Sequence, residues 1–464
     1  MVAEGQAKFL SGSLLRHVTV MSLTSTVGLM AVFLVDFIDM VFISMLGKAE
    51  LAAAVGYAGA ILFFTTSFSI GMAIAVGALV ARDLGAGNVE RARLRSSHGL
   101  AYGVGFGVLF SAFVWWNIPT FVRWIGAEGE TAALAEGYLA IIIPSLPFLV
   151  VGMMGSGILR AHGDARRAMM ATIWGGGVNA VLDPILIFGL GLDLTGAALA
   201  SVAARVAIAT AAILPILRHH GGLPRPEVVG MLRDLRPLVT IGFPAILTQL
   251  ATPVGQAIVT RSMAQYGLEA VAGMAIVGRL MPVSFAVIFA LSGAVGPILG
   301  QNFGAGRHDR VRAGFNAALI FAGSVIFVIA AVLFVLRGPV ADLFDARGVT
   351  RDLVFLFCGP LALLFFFNGV LFVANAAFNN LGHPFYSTWM NWGRNTVAMI
   401  PLVWVGGQLY GAEGVLIGQA VSAVVFGAAA WVLARRVIAA EGGNVTRDSF
   451  AREGRLLSLL NLRK

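Results

Sequence analysis

Long apolar runs alternate with short polar breaks along almost the whole chain. A helix needs about 20 apolar residues to cross a bilayer. Twelve runs reach that length: 18–46, 51–81, 96–122, 136–158, 168–191, 195–217, 238–266, 269–300, 314–336, 353–378, 385–406 and 412–434. The breaks differ in charge. With the N-terminus placed in the cytoplasm, inside segments carry Lys8, Arg16, Arg82, Arg91, Arg93, Arg95, Arg166, Arg167, Arg233, Arg310 and the basic stretch from Arg435 to Lys464, among others. Outside segments carry only Lys48, Arg123, Arg337, Arg347 and Arg351. Positive charge collects on the cytoplasmic side of membrane proteins, so both termini are expected there.

The pattern also repeats. LGAGNVERAR at 84–93 recurs as FGAGRHDRVR at 303–312, an offset of 219 residues. Gly163 matches Gly382 and Glu50 matches Glu269 at the same offset, and GAALAS at 196–201 faces GVLIGQ at 414–419. The expected fold is an all-α polytopic membrane protein of twelve helices in two six-helix lobes. Six is even, so both lobes share one topology and should be related by a pseudo-two-fold axis along the membrane normal, with a substrate site between them. The expected divisions are an N-terminal lobe at 1–218, a cytoplasmic linker at 219–236, a C-terminal lobe at 237–435 and a basic cytoplasmic tail at 436–464.

Composition narrows the function classes. Hydrophobic residues make up 58% of the chain and charged residues only 12%, half the usual share of about 25% for a soluble protein. The net charge of +9 is accounted for by basic loops and does not call for nucleic acid. The single cysteine, Cys358, leaves no internal disulfide or cysteine-based metal site. No phosphate-binding GxxxxGK[ST] occurs, so this chain does not use ATP. No Ser/His/Asp or Cys/His set shares a layer, which disfavours a hydrolase; the chain is not expected to be an enzyme.

The chemistry lies in polar residues inside the spans. A carboxylate in hydrocarbon costs about 2.5–3.5 kcal/mol on insertion scales and marks a functional site by default. At 1.5 Å per residue, Asp39 in the first span and Asp183 in the fifth fall at a similar depth. Ser201 in the sixth falls near it, and Asn179 lies one turn deeper than Asp183. Asp36 sits one turn from Asp39 on roughly the same face. Pro184 has no N–H, which frees the Ala180 carbonyl. Two carboxylates a few ångströms apart cannot both ionise cheaply. Arg205, one turn from Ser201, is expected to neutralise one acid at most. A bound cation or protons must meet the rest, and hard oxygen ligands suit Na⁺ or H⁺. A Na⁺ ion would sit among Asp39, Asn179, Asp183 and Ser201.

The second half lacks this layer. At the 219 offset Leu402 stands for Asp183 and Ala398 for Asn179. Its spans hold Arg261, Arg279 and Arg394, expected to meet helix-end carbonyls or asparagines. Phe63, Phe64, Met153, Met281, Phe285, Phe367, Asn368 and Trp389 are candidates for a cleft that takes flat, apolar, cationic compounds by stacking and cation–π contact. Gly103 and Gly107 form a GxxxG, which reads as close helix packing.

Together, VDFIDMVFISMLG at 35–47, the repeated loops at 84–93 and 303–312, NAVLDP at 179–184, GAALAS at 196–201 and GFP at 242–244 resemble the multidrug and toxic compound extrusion (MATE) transporters over nearly the whole chain. The resemblance implies a V-shaped cleft between two six-helix lobes and exchange of external Na⁺ or H⁺ for an internal, often cationic, lipophilic compound. It also implies that Asp39, Asn179 and Asp183 are coupling residues, with Ser201 standing where many members have Thr. Thr252 and Asn368 stand where NorM-type members have acids, so the pattern resembles the DinF-type branch. The reading is therefore a secondary antiporter in a bacterial-type inner membrane, expected as a monomer without a cofactor. The alternative is a flippase for a lipid-linked precursor, from the same broad superfamily.

Overall fold

A computed structural model describes residues 7–441 of the chain. Helices dominate, and no strand occurs among the described residues. The chain divides into two compact units. The first comprises Ala7, Lys8 and Val27–Gly242; the second comprises Phe9–Thr26 and the described chain from Phe243 to Glu441. The expected linker 219–236 is thus grouped with the first unit. Of the expected tail, residues 442–464 lie outside the described residues.

The first unit is built on six long helical runs. They are the second part of Leu14–Met45, then Ala49–Gly85, Val89–Trp116, Gly129–Ala161, Ala165–Gly189 and Asp193–His219. Their core gathers Ile43, Leu51, Ile61, Val114, Leu139, Ile142, Ile187 and Leu194. Close packing depends on small residues. A Cβ on Gly103 would strike Met154 and Val150, and one on Gly107 would touch Val150 and Pro147. The third span therefore meets the fourth through the GxxxG face.

Two boundaries differ from the hydropathy reading. The third span ends at Trp116, and Ile118–Trp124 is a separate short helix. Asn117 breaks the run: its side-chain amide donates to the Phe113 carbonyl, and Pro119 follows in the first turn of the new helix. The seventh helix starts at Val228 rather than near residue 238, because Asp234 is held by Arg95 and His98 of the third span.

The second unit repeats the plan with the second part of Val228–Tyr266, Leu268–Ser284 joined to Ala286–Gly304, His308–Leu343, the bent pair Gly348–Leu364 and Phe366–Leu381, and the run Pro384–Glu441. The last run is two antiparallel halves. Tyr410 and Gly411 leave helical geometry, Gly411 at φ 58° and ψ −137°. Side chains at Gly406 and Gly418 would collide with the carbonyls of Gly414 and Leu402 respectively. Those pairs are symmetric about residue 410, as a hairpin requires. Counted this way, the described residues make twelve traverses.

The internal repeat is visible bond by bond. Gly87 (φ 78°) and Gly306 (φ 70°) both take the left-handed conformation that closes a helix. Asn88 N–H donates to Asp83 O at 2.9 Å, and Arg307 N–H to Asn302 O at 2.9 Å. The same bond recurs from Asp164 to Leu159 and from His383 to Phe378. All four partners keep the 219 offset.

Candidate functional site: a carboxylate layer in the first unit

The fifth span carries Asn179 and Asp183 on one helical face, and Pro184 changes its end. The helix does not stop at the proline; it widens into a π-turn over Ile185–Gly189. Asp183 is completely buried and Asn179 nearly so. Asp39, on the first span, is partly buried, and its carboxyl comes within hydrogen-bond reach of that of Asp183. Neither oxygen of Asp183, nor Oδ1 of Asp39, nor Nδ2 of Asn179 has a hydrogen-bond partner among the described residues. Two ionised carboxylates have only acceptors to offer each other. The pair requires a shared proton or a cation.

Ser201, partly buried on the sixth span, lies close to the hydroxyl of Tyr138 on the fourth. Tyr138 itself is buried, and its ring belongs to the same core cluster as Ile187 and Leu194. It was not anticipated from the sequence. A lone tyrosine in the apolar stretch YLAIII was the one signal that could have drawn attention to it. Asp36 is exposed, one turn from Asp39.

Arg205 does not neutralise the acids. Its guanidinium donates to the Ile142 carbonyl (3.1 Å) and the Ser145 hydroxyl (3.0 Å). Pro144 breaks the fourth span there into a 3-10 turn over Ile143–Ser145, which opens a carbonyl for the arginine to take.

The aromatic and methionine candidates divide between the units. Phe63 and Phe64 are exposed on the second span, and Met153 is partly buried on the fourth. In the second unit, Met281 and Phe367 are partly buried and Trp389 is exposed. Phe285 is completely buried, stacked on Phe365 with ring centroids 4.0 Å apart; its ring is occupied in packing that unit. Asn368 accepts from Arg394, which also reaches Asn395. Arg394 thus meets asparagine amides through its two terminal nitrogens, while its buried Nε has no partner among the described residues. Arg261, Arg279 and Thr252 are exposed.

A family sequence model described as MatE matches residues 25–185 and again 244–405, one copy per half at the offset already seen. The chain belongs to the MATE transporter family. Among curated MATE relatives, the chain is 28% identical over 428 residues to a FAD transporter of Shewanella oneidensis, covering 90% of this chain and 93% of that protein. It is 24% identical over 404 residues to the multidrug export protein MepA of Staphylococcus aureus, covering 85% and 88%. Neither name points to a lipid-linked precursor. Among solved structures, an outward-facing multidrug resistance MATE transporter superposes with a TM-score of 0.88 at 22% identity, covering 96% of this chain and all of that one. A related transporter from Pyrococcus furiosus gives 0.87 at 22% identity, over 95% and 99%. At that identity the structures speak for the fold.

Proposed function

We propose that this MATE-family chain is a secondary antiporter that exports lipophilic, often cationic compounds in exchange for H⁺ or Na⁺. Asp39 and Asp183 take up the coupling ion, assisted by Asn179, Ser201 and the neighbouring Tyr138. The observation that carries this reading is the cluster of buried oxygens without a hydrogen-bond partner on Asp39 and Asp183, which lie beside each other with no ion-pair partner among the described residues. Neutralising that pair is the differential interaction that makes two conformations unequal in energy. Ion uptake from outside would favour the state that has released substrate.

With coupling proposed in the first half alone, we read the chain as a member of the DinF-type branch. That assignment is supported by the exposed Thr252 and by Asn368, which is committed to Arg394. The working orientation is a bacterial-type inner membrane with both termini cytoplasmic, as the loop charges suggest. The relatives named as a FAD transporter and a multidrug export protein support export of small organic compounds. The test is transport in proteoliposomes with Na⁺ and pH gradients imposed separately. One gradient should drive export, and Asp39→Asn should abolish the driven component while insertion is retained. Export driven by neither gradient overturns the antiport reading.

A further inference from the structure

The two repeated loops and the residues that flank them, 83–98 and 301–310, have a task that ion uptake leaves unassigned: each grips the segment that leads into the first span of the other half. In the first unit the segment is 224–234, which runs into the first turns of the seventh helix. Ser97 donates to the Pro224 carbonyl at 2.7 Å, and Arg95 bridges Asp83 (2.9 Å) and Asp234 (3.2 Å). His98 is buried; its Nε2 accepts from the Glu227 N–H, so Nδ1 carries the hydrogen given to Asp234 at 2.8 Å. At the 219 offset Phe9 corresponds to Val228, and the second unit holds Phe9 in the same manner by different chemistry.

Four side chains converge on the backbone of residues 9–12. Phe9 N–H donates to Gln301 Oε1 at 2.9 Å. The Phe9 carbonyl accepts from Asn302 Nδ2 and from Arg310 Nη2, both at 3.1 Å. Arg310 also reaches the Gly12 carbonyl at 3.1 Å and fixes Asn302 through its Nε. Arg307 donates to the Leu10 carbonyl at 2.6 Å. The Phe9 ring is 1% exposed and meets the edge of His17. Arginine donors on several backbone carbonyls make a stiff, charge-assisted clamp.

Its location gives the clamp a consequence. The helix Leu14–Met45 runs without a break. Its start, through Thr26, belongs to the second unit, and the rest, from Val27, belongs to the first. Asp39 is on the second stretch. A helix clamped at its foot carries a change at one end to the other, whereas a loose foot lets the change dissipate. We propose that Arg310, Asn302 and Gln301 are positioning residues of the coupling reaction: they fasten the foot of the Asp39 helix to the second unit, so that ion uptake at Asp39 is felt there. This rests on the antiport reading and assigns it a second, remote set of residues.

The test is binding of tetraphenylphosphonium to the purified full chain, with and without Na⁺ at fixed pH, and in alkaline against mildly acidic buffer. In the parent, the coupling ion should weaken binding by about tenfold or more, a usual size of linkage between two sites. Arg310→Gln and Asn302→Ala should keep ion-free affinity within about twofold of the parent while the ion response shrinks to less than about twofold. Arg310→Lys, which keeps a donor for the Phe9 carbonyl, should recover part of the response. A merely structural role would lower ion-free affinity and leave the ratio intact. If either variant fails to fold, Phe9→Ala, which removes the seated ring, carries the same expectation. Full ion response in these variants overturns the clamp. A parent without ion response, or an Asp39→Asn variant that matches a responding parent, overturns the antiport reading and the clamp with it.

Discussion

The two units share a topology, a set of glycine-closed turns and a family match, yet differ where the chemistry would be. At positions separated by 219 residues, the first unit has Asp39, Asn179 and Asp183, and the second has Ile258, Ala398 and Leu402. The local backbone differs too. In the first unit Asp183 is followed by Pro184 and a π-turn, and its buried oxygens have no partner among the described residues. In the second, the Leu402 carbonyl lies against Gly418, with no room for a side chain there. One copy of the repeat has kept an unsatisfied polar layer, and the other has closed into packed backbone. A duplicated scaffold can therefore keep its topology in both halves while only one carries the polar layer proposed as the ion site.

The largest effect that would break this contrast is in transport. Asp39→Asn, and equally Asp183→Asn, should reduce gradient-driven export in proteoliposomes to background, with unchanged membrane insertion. Next is the reverse experiment, implanting an acid in the second unit. Leu402→Asp should destabilise the protein by about 2.5–3.5 kcal/mol, the insertion cost of a mid-span carboxylate, and should add no second ion dependence. Thermal unfolding in detergent and the transport ratio check both parts. Gly418→Ala sharpens the same point: overpacking against the Leu402 carbonyl should cost about 1–3 kcal/mol, read as a lowered unfolding temperature.

Arg205→Gln separates structure from chemistry within the first unit. Loss of its donations to Ile142 and Ser145 should cost about 1–3 kcal/mol while the ion dependence of transport stays as in the parent. A changed ion dependence would return Arg205 to the acid layer. The smallest effect concerns the loop end of the fifth span. Burial, with the neighbouring His220 charge second, pushes the His162 imidazole down to about 4. Between about 6.5, its unfolded value, and about 4, the unfolded chain binds a proton that the folded chain refuses. Stability is full above that window and falls as pH drops through it. His162→Asn should flatten the fall. Asp164, whose carboxyl is raised by burial but lowered further by hydrogen bonds from His220 and Arg167, ends below the usual carboxylate range. Its contribution is lost only at still lower pH.

Much of this was legible in the sequence. Twelve spans follow from run length, the repeat follows from the loop motifs, and the acids declare themselves by standing in hydrocarbon. What stayed hidden has physical reasons. Tyr138 is a single phenol in an apolar stretch, and its hydroxyl gains meaning only when the fold brings Ser201 of another helix near it. Arg205 looked like a counter-ion because its true acceptor, the Ile142 carbonyl, is 63 positions away and is opened by the turn at Pro144. The short helix Ile118–Trp124 is apolar enough to merge with the third span in any hydropathy reading. Phe9 falls ahead of the first run, in a segment that reads as an unremarkable cytoplasmic start, and its burial depends on side chains some 300 positions later contacting only its backbone.

The most direct test of the central claim is ion release on substrate binding. Purified protein in weakly buffered, Na⁺-containing solution is titrated with tetraphenylphosphonium while free H⁺ and Na⁺ are followed. Because linkage is reciprocal, binding should release H⁺ or Na⁺ in the parent and neither in Asp39→Asn. Equal release in the parent and in Asp39→Asn, or substrate binding with no ion released by the parent, would contradict a coupling site in the first unit.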